Sequence, residues 1–204
     1  MGGMQNMSLL IFIMQVLCKF NNFILRICRN LGVLAVVLMV VAILIQVFFR
    51  YILNNALPWP DEAARFCMLW MTGLMAPTAF RRGGFVAIDF INQFIPNIIN
   101  IILSMFLLLL SLLVLITSVQ IGFAEVTGFG GKFATASLYI PTSIDLQNWY
   151  RIPRSWMMMS LLIGCVLLIL VNLELIGRNI IFKLGKGNLL PKIHDDTTME
   201  ISKC

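Results

Sequence analysis

The sequence predicts an all-α integral membrane protein: four transmembrane helices plus in-plane amphipathic helices, with both termini cytoplasmic. Three observations carry that expectation. The 204 residues are 60% hydrophobic and 12% charged, with a mean hydropathy of +0.93, whereas an ordinary soluble domain is about 45–50% apolar. The apolar residues gather in runs of roughly 20, the length that crosses a hydrocarbon core of about 30 Å. The cations, 15 against 9 acids, cluster in stretches between those runs, as cytoplasmic loops do. The chain therefore reads as a single membrane domain. Its pI near 9.3 reflects that clustering, so membrane lipids and not nucleic acid are the expected partners.

The elements follow in order. Over residues 8–30, Ser8, Gln15, Lys19, Asn22, Arg26 and Arg29 form one polar stripe on a segment otherwise rich in Leu, Ile, Phe and Met. Such a pattern predicts an in-plane amphipathic helix with its cations at the headgroups and Gly32 as the joint; the alternative is an extension of the next helix. No Lys or Arg precedes the apolar part and no small-x-small site follows it, so a retained segment is expected and not a cleaved signal peptide. Residues 31–53 make the first span, and between Leu31 and Phe49 Gln46 is the one strongly polar side chain. After Pro58 and Pro60, residues 61–82 make the second, with Pro77 a candidate kink because it removes a backbone hydrogen bond.

Residues 85–96 place Asp89, Asn92 and Gln93 on one face and end at Pro96, a second in-plane helix. Residues 98–121 form the third span. The stretch 122–152 changes composition, with Gly122, Gly128, Gly130, Gly131 and Pro141, and reads as a long periplasmic connection of short helix and turn. Pro153 introduces the fourth span, 154–177, where Glu174 and Arg178 stand at an i, i+4 spacing. A basic tail, 178–204, follows. Placing the amino-terminal cations, Arg81-Arg82 and this tail inside satisfies the positive-inside rule.

Several activities are excluded. The sole histidine is His194 in the tail, no metal-ligand cluster occurs, and no Ser or Cys has a general base close in sequence, so the chain is not expected to be an enzyme. Its five cysteines show no Cys-x-x-Cys and no external pair, which gives no disulfide framework and no thiol exchange. A stand-alone four-helix carrier or channel acting as a homo-oligomer is the alternative function. It would need an ionisable stripe through a span, and none is visible. A scaffold serving a partner subunit fits better.

The charged stretch between the first two spans holds the candidate site. Asp61 and Glu62 open the second span, where the positive end of the helix dipole favours carboxylates, and Asp61 reaches Arg65 at i+4. Arg65, a turn inside the membrane edge, needs an anion there or on another helix or subunit, or else acts as a simple interfacial anchor with Trp59 and Trp70 as belt aromatics. Asp89 stands near Arg81 and Arg82 in sequence.

The run Arg50-Tyr51, Asn54, Leu57, Trp59, Asp61-Glu62-Ala63-Ala64-Arg65, Trp70, then Arg81-Arg82-Gly83-Gly84 and Val86 to Asp89, resembles the signature of the small membrane subunit of tripartite ATP-independent periplasmic (TRAP) transporters. The likeness covers roughly residues 30 to 178, with Phe85 where many members have histidine. It implies a multi-pass protein of the bacterial inner membrane that scaffolds a large, many-span subunit and helps dock a periplasmic substrate-binding protein. It implies uptake of an organic acid such as a dicarboxylate or sialic acid, driven by a sodium gradient that the large subunit uses. No cofactor, metal or substrate-binding residue is expected in this chain. Subunit-interface or structural roles then fall to Arg50, Trp59, Asp61, Glu62, Arg65, Trp70, Arg81, Arg82 and Asp89. Lys132, Asp145, Arg151 and Arg154 of the long external connection are candidates for touching the binding protein.

Overall fold

The computed structural model describes residues 2–55, 57–83, 97–141 and 149–183. Its elements in chain order are α1 (Gly2–Tyr51), α2 (Trp59–Gly83), α3 (Asn97–Thr127), the single-turn α4 (Phe129–Lys132), β1 (Ala134–Pro141), β2 (Trp149–Pro153) and α5 (Ser155–Lys183). Past the end of α1, Asn54 turns the chain back with φ 48°, the left-handed conformation that asparagine tolerates. Pro60 then lies in the first turn of α2, where its missing N–H costs nothing.

Contacts along the helices set their directions. Gln46 bonds Asp61 at one end of the α1–α2 pair and Arg81 bonds Asn22 at the other, so these two helices are antiparallel. α5 runs in the same direction as α2, meeting it at Gly73 beside Ser160 and again at Arg81 with Glu174. α3 returns antiparallel to α5, with Gly122 beside Leu162 and Asn172 Nδ2 donating to Ser111 Oγ at 2.5 Å. α2 and α5 thus form the centre of the bundle, flanked by α1 and α3. Leu25, Phe80, Leu108, Val171 and Leu175 bring all four long helices to one apolar contact.

Small residues decide how close the central pair comes. A Cβ on Gly164 would lie 2.8 Å from the Gly73 carbonyl oxygen, and one on Gly73 would strike the Ser160 carbonyl. Backbones touch here, the usual device for helices associating in lipid, where the hydrophobic effect gives no drive. The Thr72, Thr117, Ser118 and Ser160 hydroxyls donate to carbonyls three or four residues back, which keeps them satisfied without water.

Among the described residues, three helices are long and apolar enough to cross a membrane, over Phe12–Tyr51, Ile102–Thr127 and Ser155–Ile181. The expected second span, 61–82, falls in α2, whose 25 residues include Asp61, Glu62, Arg65, Arg81 and Arg82. Those charges keep its composition below that of its neighbours. α2 continues as helix through the buried Pro77.

The structure differs from the sequence reading in three places. α1 runs unbroken through residues 8–30 and on to Tyr51, so this segment extends the following helix and Gly32 is not a joint. Gly32 is small for another reason: a Cβ there would fall 2.5 Å from Met75 Cγ on α2. Second, the connection 122–152 is not merely short helix and turn. α3 itself reaches Thr127, and after α4 the chain makes an antiparallel hairpin, β1 against β2. Third, helix persists beyond the fourth expected span, to Lys183. The in-plane helix expected over 85–96, with Asp89, the docking candidate Asp145 and the tail from 184 lie outside the described residues.

Candidate functional site

Two polar clusters stand at opposite ends of α2. Asp61 and Arg81 are 20 residues apart, a rise of about 30 Å, which matches the thickness of a hydrocarbon core.

At the first end the hairpin rests on α2. β1 and β2 pair regularly from Pro141↔Trp149 through Tyr139↔Arg151, but Ala134 then faces Pro153, so β1 spends five residue steps where β2 spends two. The surplus residues bulge out of the ladder, and their N–H groups need other acceptors. Glu62 supplies them: Oε1 accepts from Ala136 N at 3.0 Å, and Oε2 from Ser137 N at 2.5 Å and Ser137 Oγ at 2.6 Å. Thr135, buried beneath, donates across to the Ile152 carbonyl at 2.8 Å. A cleft of about 740 Å³ opens between β1 and α2, lined by Trp59, Asp61, Arg65 and Tyr139 among others.

The expected Asp61–Arg65 pair does not form. Asp61 Oδ2 instead accepts from Gln46 Nε2 at 3.1 Å, because the first turn of α2 faces α1. Arg65 is exposed and has no ion pair among the described residues. Trp59 is exposed at the rim, while the half-buried Trp70 lies 6.2 Å from the Phe66 ring. Arg50 closes α1 over the Tyr51 ring. The outer surface of the hairpin region is basic and aromatic. Arg151 bonds the Tyr139 hydroxyl and stacks on its ring, Lys132 lies over Phe129, and Arg154 is exposed while its backbone N–H holds the Phe133 carbonyl.

At the other end, Glu174 is fully buried and gathers three helices. Arg81 Nη2 of α2 donates to its Oε1 at 2.6 Å, and Arg178 Nε, one turn further along α5, donates to the same oxygen at 3.0 Å. From α1, Asn21 Nδ2 donates to Oε2 at 2.8 Å and Cys18 Sγ lies 3.3 Å from Oε1. Arg81 also donates to Asn22 Oδ1, and Arg82 follows it half-buried. A carboxylate so held fixes the guanidinium groups around it.

Sequence reasoning found Arg81, Glu174 and Arg178 but did not join Arg81 to Glu174, and it missed Cys18, Asn21 and Ser137 as partners. A lone acid in an apolar run was the available signal, since such a group requires a partner. The carboxylates of both clusters are satisfied from within the chain, whereas Gln46 Oε1 and Arg81 Nε are buried without a hydrogen-bond partner. Among the described residues no group of three or more His, Cys, Asp or Glu could hold a metal ion.

Apart from Cys18, Asn21 and Asn22, these residues fall within a family match. The family model for tripartite ATP-independent periplasmic transporters, DctQ component, matches residues 39–181, more than half of the chain. No curated protein matched it. The match takes in α2 with both of its polar ends, the hairpin and nearly all of α5. The chain belongs to the DctQ component family of tripartite ATP-independent periplasmic transporters.

Proposed function

We propose that this chain is the small membrane subunit of a sodium-gradient-driven TRAP transporter importing an organic acid, such as a dicarboxylate, sialic acid or a similar carboxylate. In this reading all four long helices span the inner membrane, with both termini and the Glu174 end cytoplasmic and the hairpin periplasmic. Lys19, Arg26, Arg29, Arg81, Arg82 and Arg178 share the Glu174 half of the bundle, which supports that orientation. The subunit braces the large transport subunit, and its hairpin, with Lys132, Arg151 and Arg154, meets the periplasmic binding protein.

The observation that carries the bracing role is the Glu174 cluster. Its ions pair across α2 and α5 in the interior of the bundle, and Asn21 ties the same carboxylate to α1, an arrangement that joins three helices. The test is reconstitution in proteoliposomes. Uptake of radiolabelled carboxylate is expected when this chain, its large partner, the binding protein and an inward sodium gradient are all present. Uptake by this chain alone would refute the proposal.

A further inference from the structure

We infer that Glu62 is the positioning residue of the hairpin: it stands in for the missing strand at the β1 bulge and thereby fixes the angle at which the hairpin presents itself. The inference rests on the reading that the hairpin is the docking face. Three observations converge on it. The register irregularity between Ala134 and Tyr139 takes Ala136 and Ser137 out of the ladder. Glu62 collects both of their N–H groups and the Ser137 hydroxyl within 2.5 to 3.0 Å. Among the described residues, the hydrogen bonds between the hairpin strands and α2 or its entry converge on that bulge, the remaining one joining Ser137 Oγ to the Pro58 carbonyl oxygen at 3.0 Å.

A two-stranded hairpin has little stability of its own and takes its orientation from what it rests on. Glu62 suits that task. It is in the first turn of α2, so its backbone is fixed by the bundle, at the end where the helix dipole favours a carboxylate. Charge-assisted bonds to backbone N–H groups are short and directional. Arg151 and Tyr139, paired on the hairpin beyond the bulge, inherit the orientation that Glu62 sets. Without it the hairpin samples other angles, and a partner that needs one of them binds more weakly in proportion to the lost population.

The experiment measures sodium-driven uptake by the complete transporter against binding-protein concentration. Glu62→Ala is expected to raise the half-saturating concentration by about tenfold while changing the maximal rate much less. Glu62→Gln keeps one acceptor oxygen, puts an NH2 donor in place of the other and loses the charge, and should fall between. A reversible bis-methanethiosulfonate cross-link between Glu62→Cys and Ser137→Cys should restore the lower value, and reduction should abolish the rescue. A wild-type half-saturating concentration in Glu62→Ala, or no recovery on cross-linking, overturns the inference. Loss of complex on size-exclusion chromatography in both Glu62→Ala and Glu62→Gln overturns it too, since the role would then be assembly. Arg151→Glu separates the underlying reading: no change in its concentration dependence means that the hairpin is not the docking face at all.

Discussion

Replacing Glu174 by alanine removes the one acceptor on which α1, α2 and α5 converge. In the native chain its two oxygens serve Arg81 at 2.6 Å, Arg178 at 3.0 Å and Asn21 at 2.8 Å. After the change Arg81, whose side chain is 7% exposed, keeps Asn22 as its remaining bonded partner among the described residues. A buried cation stranded in this way costs about 3–5 kcal/mol, more than the roughly 1.5–3 kcal/mol of any one charged hydrogen bond lost. Glu174→Gln retains an acceptor for Arg81 and should lose less than half as much. A control separates stranded charge from lost packing: Glu174→Leu combined with Arg81→Met removes the anion and the more buried of its two cations, leaving Arg178 at 12% side-chain exposure, and should recover a large part of the loss, because apolar replacement of a buried pair is often neutral. The assay is thermal and denaturant unfolding of the detergent-solubilised chain followed by circular dichroism. A Glu174→Ala loss under about 1 kcal/mol, or a double variant no better than the single one, would refute the reasoning.

Two further outcomes are expected. Gly164→Leu puts a branched side chain where a Cβ already lies 2.8 Å from the Gly73 carbonyl; α2 and α5 must separate, at about 1–3 kcal/mol, read as a lowered unfolding midpoint, whereas Ala at the exposed Leu161 should be silent. Arg65→Ala should leave the isolated chain within about 0.5 kcal/mol of wild type, since Asp61 depends on Gln46 and not on Arg65. It should nevertheless reduce recovery of the complex with the large subunit on size-exclusion chromatography, because a cation one turn inside the membrane edge calls for an anion from outside the chain. Unchanged recovery would leave Arg65 a snorkelling anchor.

The long helices were legible because apolar runs of membrane length have few alternatives. Long-range pairing was not legible. Arg81 and Glu174 are 93 residues apart, and nothing local says that α5 lies beside α2; their juxtaposition follows from the Gly73–Gly164 contact, itself a packing result. Local spacing misled at Asp61, where i+4 pointed to Arg65 but the interhelical Gln46 won. The hairpin was hidden by its neighbours: the glycines of α4 and its flanks dominate the composition, while the strand-forming Thr135, Tyr139 and Ile140 are few, and the bulge interrupts their alternation. The joint assigned to Gly32 failed because a glycine in a helix marks a close neighbour as readily as a bend, and here Met75 is that neighbour.

The Gly73–Gly164 contact has a mechanical consequence. α2 is clamped near its start by Gln46 and by the hairpin bonded to Glu62, abutted backbone to backbone near its middle, and bolted through Arg81 near its end. A rod held at three heights cannot tilt, rotate or slide without breaking at least one hold. Adjustment between α2 and α5 would have to be made by backbone atoms, because neither glycine has a side chain to yield. The α2–α5 pair is therefore held as one rigid body.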